Sequence, residues 1–197
     1  MSTPLRSRTE RSVQGGILRR WLTRRHRTAT TASAQDPWPG VSAGADVLFL
    51  DMHGVIHPWA TETYECLPYL YQVLDAVPSL QVVVATSWYH YVPRRHLLAR
   101  VDAQYRDRFR DALALDVHSP VAREVLLMRY VRDHKVHRFA AVTGYFRRFT
   151  ARCGWAFQLP ASEGLNDMRA RALANFVTAR VGRGLRRQAG IVATQPW

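Results

Sequence analysis

Lysine is almost absent. The 197-residue chain has one, Lys135, against twenty-seven arginines. So one-sided a choice between two basic residues points to a compositional bias, and arginine richness alone then says little about function. Cysteine is scarce too: Cys66 and Cys153 stand apart, with no CxxC pair and no His/Cys spacing suited to zinc. That excludes a disulfide framework and points to a reducing, cytoplasmic setting. No apolar run approaches the length of a membrane span. Residues 1–35 are basic and rich in Ser and Thr but lack the apolar stretch of a secretory signal, which leaves an organelle-targeting segment open. Internal repeats are also missing.

Acids are few and unevenly placed. The formal charge is +13, of which residues 1–40 carry +6, residues 41–166 only +2 and residues 167–197 the remaining +5. Basic ends of this kind either bind nucleic acid or an acidic membrane surface by counterion release and long-range attraction, or simply solubilise the chain. Gly15–Gly16, the Thr/Ala/Ser-rich stretch 28–33, Pro37 and Pro39 mark residues 1–40 as a disordered segment. Within it Ile17, Leu18, Trp21 and Leu22 can form a short amphipathic helix. One domain over 41–182 and a basic tail over 183–197 complete the expected organisation, in keeping with the chain's length and its 47% hydrophobic residues.

The chain is organised around residues 47–56. There a short apolar run, Val47 to Leu50, ends in Asp51, and Gly54 follows three residues later. A buried parallel strand delivers an acid to the carboxyl edge of a sheet in this way and then turns aside. A helix is expected over 62–77, beginning near Glu65 so that Pro68 is tolerated, with Cys66, Leu70, Val73, Leu74 and Val77 on one side. The consecutive valines of 81–85 indicate a strand buried on both faces, which ends in Thr86-Ser87-Trp88. A helix over 93–105 and a short strand over 112–116 follow. Ser119-Pro120 starts a helix on which Val121, Val125 and Met128 repeat along one side. Strands are expected over 138–143, before Gly144, and over 155–159. Asn166 caps a last helix carrying Met168, Ala172, Phe176 and Arg180, which Gly182 and Gly184 end. Alternating strands and helices with right-handed crossovers give an α/β fold, a Rossmann-like three-layer sandwich with a mainly parallel sheet.

Three stretches, Asp51-Met52-His53-Gly54-Val55-Ile56, Ala85-Thr86-Ser87-Trp88 and Gly164-Leu165-Asn166, give the chain a resemblance over about residues 45–180. It resembles the haloacid-dehalogenase-like (HAD) phosphatases, and more narrowly the small capless bacterial domains related to the one in multidomain RNA-repair proteins. The resemblance implies that Asp51 attacks phosphorus and ligates magnesium, together with the backbone carbonyl of His53. It also implies that Thr86, with Ser87 close by, binds a phosphoryl oxygen, and that Arg123 neutralises the phosphate better than Lys135 does. His53 stands where the pattern has a second Asp, so an imidazole either exchanges the proton or marks lost activity. After the third strand of the pattern, where one or two acids belong, the chain reads Val142-Thr143-Gly144-Tyr145, and Asp116 and Asp133 are the candidates to compensate.

His57, His90, His96, His118, His134 and His137 match no common zinc spacing. Trp59, Trp88, Tyr89 and Tyr91 either pack or line a cleft mouth on which a base stacks. The leading expectation is a weak or degenerate phosphomonoester hydrolase, using Mg2+ if active, with an open site for a phosphorylated small molecule or macromolecule. The competing readings are a non-catalytic phosphate- or nucleic-acid-binding domain and an interaction protein that uses its arginine-rich tails.

Overall fold

The computed structural model describes residues 37–58, 61, 63–86, 94–115, 119–144, 149–150 and 153–190. Five strands, β1 (Asp46–Leu50), β2 (Leu80–Thr86), β3 (Phe109–Ala114), β4 (Arg138–Thr143) and β5 (Ala156–Gln158), form one sheet in the order β3-β2-β1-β4-β5. Every pairing is parallel. The helices are α1 (Leu67–Ala76), α2 (Arg94–Leu98), α3 (Pro120–Asp133) and α4 (Asp167–Gly190), with a 3-10 turn over Ala103–Arg108. No inserted cap is evident among the described residues.

The strand sequences explain the layering. Leu48 and Leu50 of β1, Val82 and Val84 of β2, and Ala140 and Val142 of β4 face one way, into a core shared with Leu70 and Leu74 of α1 and Leu173 and Val177 of α4. The intervening Val47, Phe49, Val83, Ala85 and Ala141 face the other way, onto Leu127, Tyr130 and Val131 of α3. Alternate residues of one strand thus serve two cores, and this is why the central strands are apolar throughout. Each fully buried side chain of this kind contributes about 1.5–3 kcal/mol. The α/β sandwich expected from the sequence is the fold observed.

Two helix faces differ from the sequence reading. Val121, Val125 and Met128 are 58%, 60% and 43% exposed, and α3 packs instead through Arg123, Leu127, Tyr130 and Val131. Arg123 and Tyr130 bury their apolar bodies while their polar tips find partners. Arg123 donates from Nη2 to the Leu115 carbonyl at 2.7 Å and the Tyr130 hydroxyl donates to Asp111 Oδ2 at 2.6 Å. On α4 the buried side is Ala170, Leu173, Ala174 and Val177, whereas Met168 and Ala172 are exposed. Phe176 is half-buried against Phe157.

Element bounds shift for local reasons. The helix expected over 93–105 divides, because the Asp102 N–H donates to the Tyr71 hydroxyl at 2.9 Å and Tyr105 stacks on Tyr71 with ring centroids 4.1 Å apart. The strand expected over 112–116 begins earlier, at the fully buried Phe109. α4 runs through Gly182 and Gly184 to Gly190. Each glycine costs a helix only about 1 kcal/mol, and good helix formers surround both.

The amino edge is held by charge. Asp46 stands directly across from Arg138 and forms a buried ion pair with it, and its other oxygen accepts from Ser79. On the α3 side Glu124 accepts the Thr150 N–H, which ties the helix to the chain entering β5. Burial would raise the Glu124 carboxyl, but hydrogen bonds from Cys153 and Thr150 outweigh it and hold the group below its ordinary value.

Removing the carboxylate in Asp46→Ala leaves Arg138 facing an apolar gap. Because Arg138 is partly solvated, a loss of about 3 kcal/mol, the low end for a broken buried pair, is expected in urea unfolding. A depressed folded-state value makes the Glu124 contribution complete above the ordinary carboxylate range and lost as pH falls from that range through the lower folded-state value. Wild-type stability should therefore drop more steeply on acidification than that of Glu124→Gln, as followed by thermal melts from neutral to acid pH.

Candidate functional site

Leu50 pairs with Val84 on one side and Val142 on the other, so the residues that follow emerge together at the carboxyl edge. These are Asp51 after β1, Thr86 at the end of β2 and Thr143 at the end of β4. The edge lies where the chain reverses direction across the sheet, with β2 and β3 built outward on one side of β1 and β4 and β5 on the other. Open parallel sheets bind their ligands at such a point.

Asp51 is 4% exposed. Its N–H continues the ladder to the Val142 carbonyl at 3.0 Å, and its Oδ2 accepts a hydrogen bond from the Thr143 hydroxyl at 2.9 Å. The chain then coils tightly: the N–H groups of Val55 and Ile56 both reach the Met52 carbonyl and the Gly54 N–H reaches the His57 carbonyl. Gly54 has φ +68, and a Cβ there would lie 2.7 Å from the Ala161 Cα and 2.9 Å from the Gly144 Cα. Gly144 is under the same constraint, for a Cβ on it would stand 2.4 Å from the Gly54 Cα. Two backbones touch here and neither position admits a side chain.

His53 and His57 are both buried, at 6% and 2% exposure, with ring centroids 4.6 Å apart in an edge-to-face arrangement. His57 Nδ1 lies 3.0 Å from the Pro58 carbonyl, an acceptor only, which places the proton on Nδ1. In the sequence His57 is one histidine among many, and no spacing signals its burial beside His53.

Thr86 is 1% exposed and its carbonyl accepts the Leu115 N–H at 3.2 Å. Arg123, 4% exposed in the first turn of α3, bonds the Leu115 carbonyl and so stands next to the β2–β3 end of the same edge. Ser119 caps that helix as expected, its hydroxyl accepting from the Ala122 N–H at 3.4 Å. Lys135, by contrast, precedes β4 at the opposite edge and is exposed. Asp133 is ion-paired with Arg129 and Arg132 at that same far end, so it does not compensate for a missing acid at the site. Asp116, Ser87, Trp59, Trp88, Tyr89, Tyr91, His90 and His118 lie outside the described residues, as do residues 1–36 and the last residues of the tail.

The Gly164-Leu165-Asn166 turn has a role that its sequence does not announce. The Leu165 N–H donates to the Val55 carbonyl at 2.8 Å, and a Cβ on Gly164 would lie 2.8 Å from Cys66 Sγ. The turn thus clamps the loop after Asp51 from below, while Asn166 Oδ1 caps α4 through the Arg169 N–H at 3.0 Å. Burial pushes the Cys66 thiol up, aided by the nearby Glu65 charge, which lowers its thiolate fraction and suits a packing role.

Magnesium fits the described residues poorly. Among the described residues no three His, Cys, Asp or Glu side chains gather as a metal site, and the Asp51 carboxylate already accepts a hydrogen bond from Thr143. Residues 144–155, the connection from β4 to β5, contain no acid at all. Octahedral magnesium held by one carboxylate and a carbonyl would be weakly bound.

Residues 47–188 match the family model described as the HAD domain in Swiss Army Knife RNA repair proteins, and the chain belongs to that family. Neither a curated protein nor a solved structure matches it.

The Gly144 contact has a measurable consequence. Gly144→Ala should cost about 2–3 kcal/mol, because the clashing atoms are backbone and cannot swing aside. Thr143→Val, which only deletes the hydroxyl bonded to Asp51, should cost about 1–2 kcal/mol. Denaturant unfolding of the two variants side by side checks the ranking, and Thr143→Val proving the more damaging would refute it.

Proposed function

We propose that this HAD-like, phosphatase-related domain binds phosphomonoesters in the Asp51 pocket and hydrolyses them slowly. The observation that carries the reading is the buried Asp51 carboxylate at the end of the central strand, fixed by the Thr143 hydroxyl. The Thr143 hydroxyl steadies the carboxylate through Oδ2, and a carboxylate oxygen attacks phosphorus. As that bond forms, the ester P–O bond breaks and the leaving oxygen takes a proton from His53. Water then attacks the aspartyl phosphate, His53 recovers a proton from it, and phosphate departs with the carboxylate restored. Thr86 and Arg123 supply the hydroxyl and the guanidinium for the phosphoryl oxygens. An imidazole in the acid–base position and an acid-free β4–β5 connection are the reasons to expect a low rate.

The same acid-free connection favours a second reading, in which the pocket binds a phosphate group without turning it over. The family is described from RNA repair proteins, and no cap is evident among the described residues. A phosphate carried by RNA or another macromolecule therefore suits the site at least as well as a small phosphorylated metabolite, and the basic tails would add attraction for nucleic acid.

Hydrolysis of an aryl phosphate by wild type, Asp51→Asn and His53→Asn, with and without magnesium and over a range of pH, tests this. Activity should fall at least a hundredfold in Asp51→Asn, and the pH dependence of wild type should flatten in His53→Asn. Equal background rates in wild type and Asp51→Asn would leave only the binding reading.

A further inference from the structure

We infer that the Asp51 pocket takes up phosphate without a resident divalent cation, so that the Asp51 carboxylate opposes anion binding instead of supporting it. The inference rests on the phosphate-pocket reading above and specifies its electrostatics.

Three observations carry it. First, the backbone at the end of β4 cannot present an acid. A Cβ on Gly144 would stand 2.4 Å from the Gly54 Cα and 2.5 Å from its carbonyl carbon and oxygen, so no side chain of any kind fits there. Residues 144–155 supply no Asp or Glu further on. Second, the residue just before, Thr143, meets Asp51 with a hydroxyl that donates to Oδ2 at 2.9 Å. A neutral donor thus occupies a carboxylate oxygen, and it does so in a buried setting where the Thr143 side chain is itself 1% exposed. Third, among the described residues no three His, Cys, Asp or Glu side chains gather as a metal site. Among the described residues a divalent ion would find the Asp51 carboxylate already hydrogen-bonded.

The positive charge fixed at this edge belongs to the protein. Arg123 is 4% exposed at the start of α3, beside Thr86, whose hydroxyl is the neighbouring donor type. An arriving phosphate is attracted by the guanidinium and repelled by Asp51, with no cation between the two anions to reverse the sign of that second effect. Neutralising Asp51 in an isosteric way should accordingly tighten anion binding. A site built on a resident cation predicts the reverse, since removing its carboxylate ligand releases the ion and the phosphate with it.

The opposite signs make the test decisive. Inorganic phosphate is titrated calorimetrically into the full-length chain, for wild type and Asp51→Asn, in EDTA and again in millimolar magnesium chloride. Circular dichroism confirms that both proteins are folded. The expected result is a wild-type affinity unchanged by magnesium within about twofold, and an affinity about tenfold higher in Asp51→Asn. The arginine-rich ends are identical in both proteins, so the difference reports the pocket alone. Phosphate binding that requires magnesium and is lost in Asp51→Asn overturns the inference while leaving the phosphate pocket intact. Equal affinity in the two proteins also overturns it, because the anion then sits away from Asp51. No binding to either protein under any condition removes the phosphate-pocket reading together with the inference.

Discussion

The contact between the backbones of Gly54 and Gly144 is the constraint on which the site depends. It draws the turn after β1 against the end of β4 until two Cα atoms occupy the space that one side chain would fill. Beside this contact the Thr143 hydroxyl reaches Asp51, and the turn coils back so that the Gly54 N–H meets the His57 carbonyl. The Leu165 N–H then fixes the outer part of this coil through Val55. Fold and site are thereby one object: parallel pairing sets where the strand ends lie, and the two glycines set how closely they approach.

The arginines divide into two populations. Several within the domain donate to backbone carbonyls at chain turns. Arg108 reaches Leu80 and Val77, Arg110 reaches Gly40, Arg123 reaches Leu115 and Arg169 reaches Gly164. A planar guanidinium with five donors can satisfy such carbonyls while its stem packs, which a lysine ammonium does less well. Burial lowers the Arg108 guanidinium from its ordinary value, yet the nearby Asp75 charge works against that loss. Residues 41–166 carry a net charge of only +2, so the excess lies at the two ends of the chain. Basic composition within the domain is thus partly architecture.

The carboxyl edge gathers a small set of polar groups. A carboxylate, a hydroxyl and a guanidinium come to one edge of the sheet, and a pair of buried imidazoles follows the carboxylate. An imidazole stands two residues after Asp51, and a glycine held by steric contact stands after β4. On the proposal above, the low negative charge around Asp51 weakens cation binding and leaves Arg123 as the counter-charge for an anion.

The order of elements, the parallel sheet and Asp51 at a strand end were legible in the sequence, because a fully buried strand must be apolar on both faces and must turn where a glycine permits it. The stretch 138–143 gave β4 with both ends correct, and Ser119-Pro120 and Asn166 marked helix starts through local hydrogen bonds that need no tertiary partner. The packing faces of α3 and α4 were not legible. On α3, Val121, Val125 and Met128 and the competing set Arg123, Leu127, Tyr130 and Val131 both repeat at helical spacing, and the polar tips of Arg123 and Tyr130 hid the buried one until Leu115 and Asp111 supplied partners. The pairing of His53 with His57, the clamp from Leu165 and the exclusion of any side chain at Gly144 likewise arise between segments distant in sequence or folded back by a turn. Local periodicity and capping act within a few residues and so are written in the chain. Which of two periodic faces is buried, and how near two strand ends come, depends on neighbours that only the tertiary structure brings together.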